Sequence, residues 1–272
     1  MPGLAAFLKP TWIKLIFLVE WAAFVSINVA RGQLKTTHQM LVAAYPFAFF
    51  YLVACGLAAW GRRRQQLGGS VRLLAIGAGV VVVEQVIKSL VEAFLPLQAS
   101  LPLVDNWLRL ANRPNPHGSW VAGALGVMPA GGLLISQWIE IGGLLLVSGG
   151  ARRFYVATQR QSLWVDVAFL GVFVGCGGWM CDMGFRGHIA DFINLPGLTT
   201  CDLKDIFISI GAPACLAEAI DNKRIEWRWR GWRTEAEDSV RFVRDLGQFA
   251  AREWRELRRE LARWRGGSGG AE

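Results

Sequence analysis

The chain has 272 residues, 53% of them hydrophobic and 18% charged, with a mean hydropathy of +0.32 and a formal net charge of +8. Soluble domains are nearer a quarter charged, and here the apolar residues come in blocks of the roughly 20 residues that cross a bilayer, which excludes an ordinary soluble domain. The basic charge does not mark a nucleic-acid partner, because Arg62, Arg63, Arg64 and Arg72 flank one loop, Arg152, Arg153 and Arg160 lie in another, and the C-terminal tail is rich in Arg. That is how positive residues collect on the cytoplasmic face of a membrane protein.

Six spans are predicted, at about 11–30, 40–60, 72–96, 120–148, 162–183 and 203–221. The first reads as an uncleaved anchor, since no small-residue cleavage site follows at a suitable distance. With the Arg-rich loops inside, alternation puts both termini and loops 61–71 and 149–161 in the cytoplasm. Loops 31–39, 97–119 and 184–202 fall outside. In 97–119, Leu108 and Leu110 alternate with polar residues and predict a short strand, and Asn112-Arg-Pro-Asn-Pro116 predicts a turn. The fold class is therefore an all-α polytopic membrane protein. It is a six-helix transmembrane bundle with a small extracytoplasmic β element and a C-terminal amphipathic helix.

The chain divides into two extra helices (1–70), a four-helix unit (71–221) and a polar cytoplasmic tail (222–272) that ends in Gly-Gly-Ser-Gly-Gly-Ala-Glu. In the tail, Val240, Val243, Gly247, Ala250, Trp254, Leu257, Leu261 and Trp264 form an apolar stripe at helical spacing, preceded by Trp227, Trp229 and Trp232. The stripe suits a helix lying on the inner membrane surface and equally a coiled-coil or partner-docking helix. Segments 1–70 and 222–265 are the places where a partner protein would bind.

The ionisable residues within or beside the spans are Glu20, Glu84, Lys88, Glu140, Asp166, Asp182, Asp191, Asp202, Asp205 and Glu218. Such residues are costly in a bilayer and usually pair or serve a function. Glu84 and Lys88, four apart, share a helix face and predict a structural ion pair. Asp166 and Glu218, near the inner ends, are expected to be solvated or paired. Glu20 and Glu140 are candidates to bind a neighbouring helix. Asp182, Asp191, Asp202 and Asp205 fall within 24 residues at the outer face. Asp202 stands where a helix N-cap would. Asp191 and Asp205 are the pair best placed to share a proton, as the two carboxyls of an aspartic protease do. No spacing of the five cysteines or three histidines fits zinc or haem. Cys181 and Cys201 lie on the side where a disulfide is chemically permitted.

Four segments carry a resemblance. They are Glu84-Gln-Val-Ile-Lys88, Asn115-Pro-His-Gly-Ser-Trp120, Gly178-Trp-Met-Cys-Asp182, and the run from Gly187-His-Ile-Ala-Asp-Phe-Ile193 to Asp202-Leu-Lys-Asp205. In order and placement they resemble the lipoprotein signal peptidase (signal peptidase II) family over about 71–221. The resemblance implies an aspartic dyad of Asp191 and Asp205 that needs no metal or other cofactor. It implies Asn115 as a substrate-backbone ligand, with Lys88, Glu84, Asp182, Asp202 and Arg186 as supporting residues.

The implied substrate is a signal helix cut before a lipid-modified cysteine, at the extracytoplasmic side of a bacterial inner membrane. The pattern departs from the family at Trp179, Met183 and Asp202, where the family has Asn, Arg and Asn, and at Glu84, where it has Asp. Arg186 could replace the missing arginine by charge. These departures leave a second reading open, a catalytically altered scaffold whose substrate groove Trp179 and Met183 have closed. A cation or proton transporter is a third reading, disfavoured because its acids would lie at the midplane.

Overall fold

The computed structural model describes residues 4–115, 134–158 and 161–221, with scattered positions between 237 and 259. The elements in order are α1 (Leu4–Leu8), α2 (Trp12–Ile16), α3 (Val19–Ala30), α4 (Thr37–Gly61), α5 (Ser70–Phe94), β1 (Ser100–Val104), β2 (Leu108–Asn115), α6 (Leu134–Thr158), α7 (Leu163–Phe185), β3 (Ile189–Leu195), β4 (Thr199–Cys201) and α8 (Leu203–Asp221). The molecule is mostly helical with one small antiparallel sheet. Among the described residues, α4, α5 and α7 are long and apolar enough to cross a membrane by length and composition. Val71, Ile139, Leu146 and Phe185 leave large apolar side chains on the outside of the bundle, as a lipid-facing surface would.

The block predicted at about 11–30 is two helices. The turn between them tightens where Leu18 N donates to Leu15 O at 3.0 Å, three residues back instead of four. Phe17, at that break, is buried in a core with Ala54, Leu163, Trp164, Val167, Ala214 and Ala217. Helix α2 and the break after it thus pack on α7 and α8. Helix α4 opens with a capping box in which Gln39 N donates to Thr36 Oγ1 (3.2 Å) and Thr36 N donates to Gln39 Oε1 (3.1 Å).

Helix α6 runs to Thr158, well into the loop predicted at 149–161. The reason is Arg152, whose guanidinium is buried against Asp166 on α7 at 2.8 Å, so a charge that reads as loop-like is neutralised inside the bundle. The block predicted from 120 has its first residues, 120–133, outside the described residues. Of the tail stripe, Ala250, Leu257, Leu261 and Trp264 also lie outside them, while Val240, Val243, Gly247 and Trp254 are helical and exposed; Phe249 is buried edge-on against Phe154 of α6, ring centroids 5.4 Å apart.

The β element is a four-stranded antiparallel sheet in the order β1-β2-β3-β4. Of the turn predicted at Asn112–Pro116, residues 112–115 are instead the end of β2 and Pro116 lies outside the described residues; the hairpin turns at 105–107, with Asp105 at φ 34°. Pro114 is tolerated because the β2–β3 register shifts between Leu110 and Arg113, an irregularity that relaxes the ladder beside it. The loop predicted at 184–202 contains two strands. β3 is buried on both faces, so it has no alternating pattern to betray it.

Helices α7 and α8 form the closest helix pair, and they meet at glycine. A Cβ on Gly171 would stand 2.7 Å from Gly211 Cα and 2.7 Å from Phe207 O. Small residues at such a crossing let two backbones touch, a habit of helix pairs in membranes. This contact sets the distance between the helix that leads into β3 and the helix that opens with Asp205.

Candidate active site

Asp202 and Asp205 arise from one local motif. Asp205 N donates to Asp202 Oδ1 and Asp202 N donates to Asp205 Oδ2, both at 3.2 Å, a reciprocal cap at the start of α8. Asp202 is the N-cap its position predicts, and the cap also fixes the rotamer of Asp205. Asp191 reaches the same place from the sheet. It lies on β3 opposite the end of β2, where Asn115 Nδ2 donates to Asp191 Oδ2 at 2.8 Å. One carboxylate oxygen from each of Asp191, Asp202 and Asp205 lies within 4.8 Å of the other two.

Their environments differ. Asp191 is 1% exposed, and its Oδ1 has no hydrogen-bond partner among the described residues. Burial, reinforced by the negative charges of Asp202 and Asp205, pushes its carboxyl up to about 8. Asp202 is also fully buried, which alone would raise it, but Lys204 and Lys88 hold it below the usual carboxylate range. Asp205 is half-buried and lines a cavity with Phe17, Glu20, Trp21, Phe50, Thr199, Cys201, Ile206 and Ser209.

Beneath the three aspartates is a buried charge network. Lys88 Nζ is 2.7 Å from Glu84 Oε1, 2.6 Å from Asp182 Oδ2 and 2.7 Å from Asp202 Oδ2. Lys204 pairs with Asp202 and lies 3.5 Å from Asp182. The Glu84–Lys88 pair predicted from spacing is therefore part of a larger cluster. Gly178 makes room for it, since a Cβ there would stand 3.2 Å from Lys204 and 3.3 Å from Glu84 Oε1.

Arg186 packs over the outer end of the cluster, donating to both Glu92 oxygens (3.0 and 2.9 Å) and to Gln85, and lying 3.5 Å from Asp182 Oδ1. The side chain stands near the acid it was expected to serve, but its Nε is shared by the two oxygens of Glu92.

Lys204, Gln85 and Glu92 are the supporting residues that sequence reasoning passed over. A lysine between two acids at a span boundary is the signal that could have exposed Lys204. Glu84, Asp182 and Asp202 also have oxygens close enough together to hold a cation, as do Asp191, Asp202 and Asp205. For the first set, the Lys88 and Lys204 ammonium groups supply that positive charge.

Other predicted residues resolve plainly. Trp179 stacks edge-on with Trp138 of α6, centroids 5.4 Å apart, and is not among the residues lining the cavity beside Asp205. Asp166 is held by Arg152 and by Leu67 N at 2.9 Å, and Glu218 accepts from Tyr155 and Ser162. Glu140 is exposed on α6. Glu20 does bind a neighbouring helix, accepting from Ser209 Oγ of α8 at 3.1 Å. Cys181 and Cys201 are both free thiols. His38 packs on Trp107, His188 meets Arg186 O, and His117 lies outside the described residues.

Residues 76–220 match the family profile of signal peptidase (SPase) II. The chain is 26% identical over 144 residues to the lipoprotein signal peptidase of Sinorhizobium fredii, a match spanning 52% of this chain and 81% of that relative. Two solved bacterial membrane enzymes, both determined by the in meso method, align with TM-scores of 0.49 and 0.43 at 17% and 16% identity. They cover 60% and 56% of this chain and 96% and 94% of their own. With its profile match spanning more than half the sequence, the chain belongs to the signal peptidase II family of membrane proteases.

Proposed function

We propose that the protein is an intramembrane aspartic endopeptidase that removes signal peptides from lipid-modified precursors, with Asp191 and Asp205 as its dyad. The observation that carries this reading is the approach of the Asp191 and Asp205 oxygens to within 4.8 Å of each other, from two different elements, inside the family-matched region. Two carboxyls so close cannot both ionise readily, and a shared proton is what aspartic catalysis uses. Asp191, raised to about 8, holds that proton at neutral pH.

Asp205, reached through the cavity, takes a proton from a water whose oxygen adds to the scissile carbonyl carbon. Asp191 donates its proton to the carbonyl oxygen. Collapse of the tetrahedral intermediate returns that proton to Asp191 and passes the one on Asp205 to the leaving nitrogen. Asn115 orients Asp191 and stands ready to bind substrate backbone. Lys88, Glu84, Asp182, Asp202, Lys204 and Arg186 hold the two elements in register.

In the membrane, this reading has six spans with both termini cytoplasmic and the dyad at the extracytoplasmic boundary. Residues 1–70 are an appended unit, 71–221 the catalytic unit and 222–272 a tail on the inner surface. The test is cleavage of a lipidated precursor peptide by the purified full chain. Wild type should cleave, and Asp191→Asn and Asp205→Asn should not. A well-folded wild type that leaves the peptide intact sinks the proposal.

A further inference from the structure

The part of the chain outside the family match contributes directly to the cavity on Asp205. Phe17, Glu20 and Trp21 come from the first helical segments and Phe50 from α4, while Thr199, Cys201, Asp205, Ile206 and Ser209 come from the family-matched region. The segments are tied together there. Ser209 Oγ donates to Glu20 Oε1 at 3.1 Å, and Gln39 Nε2 at the start of α4 donates to Gly197 O of the β3–β4 turn at 3.2 Å. The walls are apolar apart from a few groups, and among the described residues Glu20 is the only charged wall residue besides Asp205. Its second oxygen, Oε2, is buried and has no hydrogen-bond partner among the described residues. A buried acceptor left unpaired costs free energy that a donor would recover.

Distance sets the kind of donor. Ser209 is four residues after Asp205 on α8, so the residue that anchors Glu20 stands about one turn, roughly 6 Å along the helix, from Asp205. A substrate residue held by its backbone at Asp205 reaches Glu20 with a short side chain carrying a hydroxyl.

We infer that Glu20 is a specificity-determining residue, accepting a hydrogen bond from a short hydroxyl side chain of the substrate that enters this cavity beside the scissile bond. The inference deepens the peptidase reading and rests on it. It assigns to the N-terminal segments, which the family match does not include, the formation of a side-chain subsite.

The experiment uses the full chain carrying Asp191→Asn, so that bound peptide is not consumed. Lipidated precursor peptides place Thr or its isostere Val at each of the two positions before the cut and at the second position after it, the first being the lipid-modified cysteine. At one position the Thr peptide should bind about 5–10-fold tighter, the value of one recovered hydrogen bond. Adding Glu20→Leu should abolish that preference, and Glu20→Gln, whose amide NH2 can donate to Ser209 Oγ and leave its oxygen free to accept, should restore it.

Thermal melts of each variant separate loss of binding from loss of fold. Equal binding of Thr and Val peptides at every position, or a preference that survives Glu20→Leu, overturns the inference. The peptidase reading is judged separately, by cleavage with the Asp191 form: cleavage without any Glu20-dependent preference removes the subsite and leaves the peptidase standing.

Discussion

In the proposed mechanism, Asp191 is the residue on which the chemistry turns. Its carboxyl is raised to about 8 by burial and by two neighbouring acids, so the folded protein binds a proton there that the unfolded chain, with an ordinary value near 3.8, releases. The stabilisation from this proton is full below about pH 4 and is lost as pH rises toward 8. Asp191→Asn, which cannot ionise, should remove that part of the decline, seen as a flatter melting temperature between pH 5 and 8 than in wild type. In cleavage assays, Asp191→Asn and Asp205→Asn should each lower kcat by about 10³-fold or more, the scale of losing an acid or base in the transition state. Asp202→Asn removes one of the charges that raise Asp191. The alkaline limb of the pH–rate profile should then move to lower pH, and an unchanged limb would show that Asp202 acts only as a cap.

Lys88 belongs to the same scale. It is the common partner of Glu84, Asp182 and Asp202, all buried. Lys88→Met leaves three carboxylates short of a counter-charge and should destabilise the fold by about 3–5 kcal/mol, measured by thermal or chemical unfolding in detergent. The Glu84–Lys88 pair is legible in the sequence because four-residue spacing defines a helix face. The acids that join it from α7 and the start of α8 are not, because no local rule says which helices become neighbours.

At the scale of elements, the active-site geometry depends on how α7, β3 and α8 are held. The α7–α8 crossing has no space for a side chain at Gly171 or Gly211. Gly171→Ala or Gly211→Ala should push the helices apart, cost about 1–3 kcal/mol in unfolding experiments and lower kcat with a smaller change in binding, since the dyad spans the displaced elements. Apolar block length located most of the helices that are described. It missed the break at Phe17 and Leu18 and the extension of α6, both of which depend on tertiary burial. It also missed β3, because a strand buried on both faces looks like any short apolar run.

At the scale of the whole molecule, the proposed membrane arrangement rests on the Arg-rich loops and is open to direct test. A fluorescent protein fused after Glu272 should fluoresce, as it does only in the cytoplasm, and a periplasmic reporter inserted at the β3–β4 turn near Gly197 should be active. The opposite pair of results would turn the site to the cytoplasmic side.

Composition, the apolar blocks and the order of four short motifs were enough to read a membrane protein of the signal peptidase II family and to single out Asp191 and Asp205. Hydrophobic length and local motifs are one-dimensional properties, and a sequence displays them directly. The sequence did not show that Asp191 stands on a strand, that Lys204 lies buried among the acids, that Trp179 stacks on α6, or that Glu20 reaches the cavity at Asp205. Those are contacts between residues distant along the chain. Their energies come from burial and charge pairing, which exist only once the helices and the sheet have come together.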